Sequence, residues 1–149
     1  MDYKKIKTLG ELKAANYISL PVKDELRKNL IKQLQEKDAG FEGILGYDET
    51  VIPELQTAIL SRHNILLLGL RGQAKTRIAR LMVNLLDEYI PYLTGSEIFD
   101  DPLNPISWFA KHEILIHGDN TPISWQHRSE RYTEKLATPD VTVADLIGD

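Results

Sequence analysis

The sequence predicts an α/β fold built on a parallel sheet and preceded by a helical segment, and three observations predict it. Asn64 to Leu68 is a short run, apolar from Ile65 onward; GLRGQAKT, Gly69 to Thr76, is rich in glycine and ends in lysine and threonine; the stretch after it keeps helical spacing. A short apolar run suits a strand buried on both faces. Strand, glycine loop and helix, in that order, let main-chain amides meet an anion at a helix N-terminus.

The totals narrow the classes. At 149 residues, with ordinary apolar and charged fractions, the chain is long enough for one domain with its own core. Its longest uninterrupted apolar stretch, Ile65 to Leu68, is far short of the roughly 20 residues a membrane helix needs, so no membrane partner is expected. The absence of cysteine excludes disulfides and thiolate chemistry and fits a reducing, cytoplasmic setting. A net charge of −4 argues against a protein that coats nucleic acid, and no specific nucleic-acid partner is expected. Lys4, Lys5, Lys7 and Lys13 read as a solvated face.

Taken in order, Leu9 to Tyr17 predicts a short helix. Pro21 to Lys37 predicts an amphipathic one, with Val22, Leu26, Leu30, Ile31 and Leu34 recurring at three- and four-residue intervals and Pro21 in the first turn. Residues 1–39 therefore form an N-terminal helical extension. Gly40, Gly43 and Gly46 mark a loop, after which Asp48 caps a helix running to about Ser61, or Pro53 shifts its start to about Ile52. The spacing of Ile78, Leu81, Met82, Leu85, Leu86 and Tyr89 predicts a helix that Pro91 ends. Prolines and acidic residues from Thr94 to Ile123 suggest a partly irregular insertion. A second strand is expected somewhere in Arg131 to Ala137, and the tail TPDVTVADLIGD reads as a loop with a short helical turn.

The chemistry concentrates in GLRGQAKT. Gly69 and Gly72 let the backbone turn so that the amides of Leu70, Arg71, Gly72, Gln73 and Ala74 face phosphate oxygens. Lys75 brings positive charge to the outer phosphates, and Thr76 offers a hydroxyl to magnesium. Ala74 stands where the strict pattern G-x-x-x-x-G-K-[ST] has glycine, at little cost if its φ is negative. The plainer reading is a glycine turn before an ordinary amphipathic helix; the predicted strand before it and helix after it favour phosphate binding. Arg71 and Arg77 fit phosphate contact and solvent equally well.

With strand, loop and helix placed, the chain resembles the MoxR and magnesium-chelatase I-subunit branch of the AAA+ ATPases. Three stretches carry the likeness: ILGYDE at Ile44 to Glu49, NILLLGLRGQAKT at Asn64 to Thr76, and TPDVTVADLIGD at Thr138 to Asp149. The resemblance implies an incomplete P-loop NTPase core over residues 40–149 with an insertion at about 94–123. It implies ATP and Mg2+ as cofactors, with Ile44, Leu45 and Gly46 against adenine and Tyr47 in place of the usual glutamine. A homo-oligomeric ring that remodels a client would follow for a full-length member. The family's acidic pair at the end of an apolar strand has no counterpart after Thr76: Asp87-Glu88 falls on the predicted loop helix, and Asp100-Asp101 follows no predicted strand. We therefore expect the N-terminal part of a longer ATPase, with no catalytic residue of its own and little hydrolysis.

Two other functions stay open: a non-catalytic nucleotide-binding scaffold, and a small P-loop kinase with the insertion as its lid. His63, His112, His117 and His127 lack zinc-helix spacing, and no nucleophile motif of the G-x-S-x-G kind occurs. Trp108, Phe109 and Trp125 read as packing residues.

Overall fold

Helix starts and stops follow local chemistry closely in this chain. In the computed structural model, which describes residues 2–36, 51–65, 75–134 and 139–144, α1 spans Leu9–Ala14. The Thr8 hydroxyl accepts from the Glu11 amide at 3.2 Å while the Glu11 carboxylate accepts from the Lys7 amide at 3.0 Å, a reciprocal cap. α2, Val22–Gln35, has Pro21 as its N-cap and Asp24 and Glu25 in its first turn, where acidic groups suit the positive helix end. α3 is Val51–Leu60 and α4 is Lys75–Met82, continued by one 3-10 turn over Val83–Leu85.

α2, α3 and α4 pack together. Leu30, Ile52, Leu55, Ile59, Ile78 and Leu85 form the buried cluster, with Leu26, Leu60, Ile65 and Met82 against its edge. The remainder is organised on a two-stranded antiparallel sheet, β1 (Tyr89–Leu93) and β2 (Ile123–His127), paired from Tyr89–His127 to Leu93–Ile123. Between them lies α5, Trp108–His117, started by the Ser107 hydroxyl accepting from the Ala110 amide and ended by Gly118 at φ 55°.

Several expectations are corrected here. The parallel-sheet α/β core is not what the chain forms among the described residues: their one sheet has two strands, and these run antiparallel. Both outer edges of that sheet are engaged by passing chain. The Leu93 amide donates to the Asp100 carbonyl at 2.9 Å and the Ile123 amide to the Lys7 carbonyl at 3.0 Å. Asn64 and Ile65 are not in a strand, and 66–68 lie outside the described residues.

The helix expected up to Pro91 stops at Met82, and Tyr89 and Pro91 belong to β1. Tyr-Ile-Pro-Tyr-Leu is rich in strand formers, and proline fits because of register. The exchanging pairs are in phase with Arg128 N–H to Glu88 O at 2.9 Å and Thr94 N–H to Pro122 O at 3.2 Å. Pro91, opposite Trp125, therefore sits at a non-bonded position, where its nitrogen faces away from β2 and a missing N–H costs the ladder nothing. The second strand is Ile123–His127, not within Arg131 to Ala137: Arg128–Arg131 is a 3-10 turn, residues 132–134 are irregular, and 135–137 lie outside the described residues. The stretch expected to be irregular, 94–123, carries α5 and the 3-10 turn Gly118–Asn120 and connects β1 to β2.

Candidate nucleotide site

Lys75 and Thr76 lie in the helix that follows the glycine run, described as Lys75–Met82. α4 is anchored through Ile78, which is buried against α2 and α3, and through Met82 at the edge of the same cluster. Gly69, Leu70, Arg71, Gly72, Gln73 and Ala74 lie outside the described residues, as do Ile44, Leu45, Gly46 and Tyr47; for Lys75 and Thr76 the backbone is described and the side chains are not.

The basic residues on α4 divide. Arg77 is exposed. Arg80 is committed to Glu134, donating to both carboxylate oxygens at 2.7 and 2.8 Å, and the Tyr132 hydroxyl donates to the same carboxylate at 2.6 Å. The Arg80 hydrogen bonds, joined by that of Tyr132, hold the Glu134 carboxyl down at about 2. Arg80 is thereby drawn toward the segment after β2 and away from the loop end of the helix.

Neither adjacent carboxylate pair is arranged to hold a metal. Asp87 lies beyond the helix, accepting from Lys28 at 3.2 Å and Asn29 at 2.9 Å, while its own amide donates to Glu25 at 2.7 Å. Asp100 is buried and accepts from the Ser96 and Ser107 hydroxyls and the Ile106 and Ser107 amides. Burial alone would raise its pKa, but these donors outweigh burial and hold it well below the usual carboxylate range. Asp101 accepts from the Leu103 amide at 2.9 Å. Asp87 ties α2 to the turn before β1, and Asp100 and Asp101 lock the turn leading into α5.

Sequence reasoning missed the buried ion pair. Arg131 donates to both oxygens of Glu25, at 2.7 and 2.9 Å, and Glu25 is 3% exposed. The partners are 106 residues apart, so no local pattern announces them. Beside them Tyr17 is pushed up to about 12, by burial first and by Asp87 and Glu25 next, and stays a neutral hydroxyl.

A cavity of about 540 Å³ borders the helical cluster, lined by Val22, Leu26, Ile59 and Ile65 with Lys23, Arg62 and His63 at its rim. It meets α4 at Ala79 and Met82, one turn and more beyond Lys75. Of the aromatic residues, Trp125 packs as expected, its indole N–H donating to the Ile6 carbonyl at 2.9 Å and its ring meeting Tyr3 and Tyr17. Trp108 does not: it stands exposed, stacked on His112 with centroids 4.7 Å apart. His117 faces Glu113 at 3.4 Å, and His127 meets Ser129 at 2.8 Å. Among the described residues, no helix is long and apolar enough to cross a membrane.

Comparison of the chain with family models, with curated proteins and with solved structures found no match to any of them.

Proposed function

We propose that the chain binds ATP with Mg2+ through Gly69 to Thr76, as the N-terminal part of a cytoplasmic remodelling ATPase of the MoxR or magnesium-chelatase kind that works as a ring on a client. The observation that carries this reading is local: Lys75, the residue at which a phosphate loop of this pattern has to hand over to a helix, is helical, and α4 runs on from it to Met82. Lys75 would hold the β and γ phosphates, Thr76 the metal, and the amides from Leu70 to Ala74 the phosphate oxygens. The proposal does not rest on a parallel sheet. It rests on the order of glycine loop and helix, and on the anchoring of that helix by Ile78.

Binding without efficient turnover is the form this activity takes in the chain itself. No described strand ends in paired carboxylates, since β1 runs from Leu93 into Thr94 and β2 from His127 into Arg128, and Asp87, Asp100 and Asp101 are used structurally. That favours a nucleotide-holding module over the kinase reading. The test is calorimetric titration of the intact chain with ATP and Mg2+, compared with Lys75→Ala. Loss of one charge-assisted phosphate contact weakens binding by about 10- to 100-fold. Equal affinity would remove Lys75 from the site, and fast magnesium-dependent hydrolysis by the chain alone would contradict the non-catalytic form.

A further inference from the structure

α5 turns only a narrow face inward and leaves several large apolar side chains outside. Ala110 is fully buried and Glu113 and Ile114 are half-buried, whereas Trp108, Leu115 and Ile116 are 76%, 83% and 58% exposed. His112 lies with them, stacked on Trp108. Positions 108, 112, 115 and 116 form one stripe at i, i+4, i+7 and i+8, the spacing that a surface helix normally turns toward its own core. The stripe continues onto the preceding loop, where Ile106 and Ile98 are 78% and 61% exposed. Ile98 and Phe109 also line a groove of about 450 Å³, with Gly95, Glu97 and Ser107.

Ser107 and Gly118 fix where this helix starts and ends, so its outward stripe is not a fraying end. Contiguous exposed apolar surface of this size marks a contact face.

We propose that this face is a two-fold interface between two copies of the chain, α5 packing antiparallel on α5 of the second copy. The complement is already present. Residues 108 and 116 lie four positions either side of His112, so a crossing near His112 sets Trp108 of one copy against Leu115 and Ile116 of the other, and the reverse. Trp108, Leu115 and Ile116 then each have an apolar mate, and Lys111 stays at the solvent margin.

Area agrees with this. Aromatic side chains present about 150–250 Å² each and aliphatic ones somewhat less, so the exposed parts of Trp108, Phe109, Leu115, Ile116, Ile98 and Ile106 sum to on the order of 700 Å². A stable interface of standard size takes roughly 800 Å² from each partner. The contact uses no residue of Gly69 to Thr76, and is independent of nucleotide binding.

The experiment is sedimentation equilibrium of the intact chain over a concentration series, for wild type, Leu115→Lys and Lys75→Ala. Wild type and Lys75→Ala are expected to show the same monomer–dimer equilibrium. Leu115→Lys, altered twice per dimer, raises the dissociation constant by at least about 100-fold, with the far-ultraviolet circular dichroism unchanged. Because the chain has no cysteine, His112→Cys supplies a geometric check. It forms a disulfide between like chains under mild oxidation, while Lys32→Cys, exposed on α2, does not. A chain that stays monomeric throughout, a dimer indifferent to Leu115→Lys, or equal cross-linking at 32 and 112 would each overturn the proposal. The first of these would leave the stripe to a client segment or to another part of a longer polypeptide.

Discussion

Replacing Arg131 with methionine is the sharpest probe of how the two halves of this molecule are joined. Arg131 follows β2, Glu25 sits on α2, and the guanidinium donates to both carboxylate oxygens where Glu25 is almost fully buried. In Arg131→Met the carboxylate keeps only the Asp87 amide, at 2.7 Å. Removing one partner of a buried pair costs about 3–5 kcal/mol, because the remaining charge is left uncompensated. Against a domain stability of about 5–15 kcal/mol, that is a large fraction. With a urea slope of about 2 kcal/mol/M, the unfolding midpoint falls by about 1.5–2.5 M. The assay is urea unfolding followed by tryptophan fluorescence and circular dichroism, for wild type, Arg131→Met, Glu25→Leu and the double variant. The double variant is expected to recover much of the loss, since it leaves neither charge buried alone. A midpoint change below about 0.5 M in the single variant at constant slope, or strict additivity in the double, would refute the reasoning.

Other perturbations follow from the same contacts. Asp100 is held ionised by its hydroxyl and amide donors, so its folded pKa lies below its unfolded value of about 3.9. Its contribution is therefore fully present above about pH 4 and is lost as pH falls below that. Urea midpoints at pH 7 and pH 3 should differ less for Asp100→Asn than for wild type, and an equal difference would remove Asp100 as a source of acid sensitivity. Gly10→Ala should destabilise the chain by about 1–3 kcal/mol even though alanine is the better helix former. A Cβ on Gly10 would lie 2.8 Å from that of Asp119, and thermal melts showing a stabilised variant would contradict this packing. The nucleotide test at Lys75 and the association test at Leu115 stand beside these.

Much of the helical structure was legible from local signals. The spacing of Val22, Leu26 and Leu30, with Pro21 before it, announces α2, and the spacing of Ile78 and Met82 announces the helix of α4, because capping and amphipathic periodicity act within a few residues. The phosphate-loop reading is likewise a statement about eight consecutive residues. The strand segments misled for a physical reason. Leu85, Leu86 and Tyr89 satisfy helical spacing and strand composition alike, and which applies depends on β2, more than thirty residues further on.

What the sequence determined by itself is therefore the local chemistry: where α1 and α2 begin, and the absence of thiol chemistry. Only the tertiary structure decided that the sheet is antiparallel, that Asp87 and Asp100 are spent on structural bonds, that Glu25 meets Arg131, and that α5 turns its apolar stripe outward. Each of these depends on groups brought together across the fold, and a burial or pairing energy shared by distant residues leaves no periodic mark on either one alone.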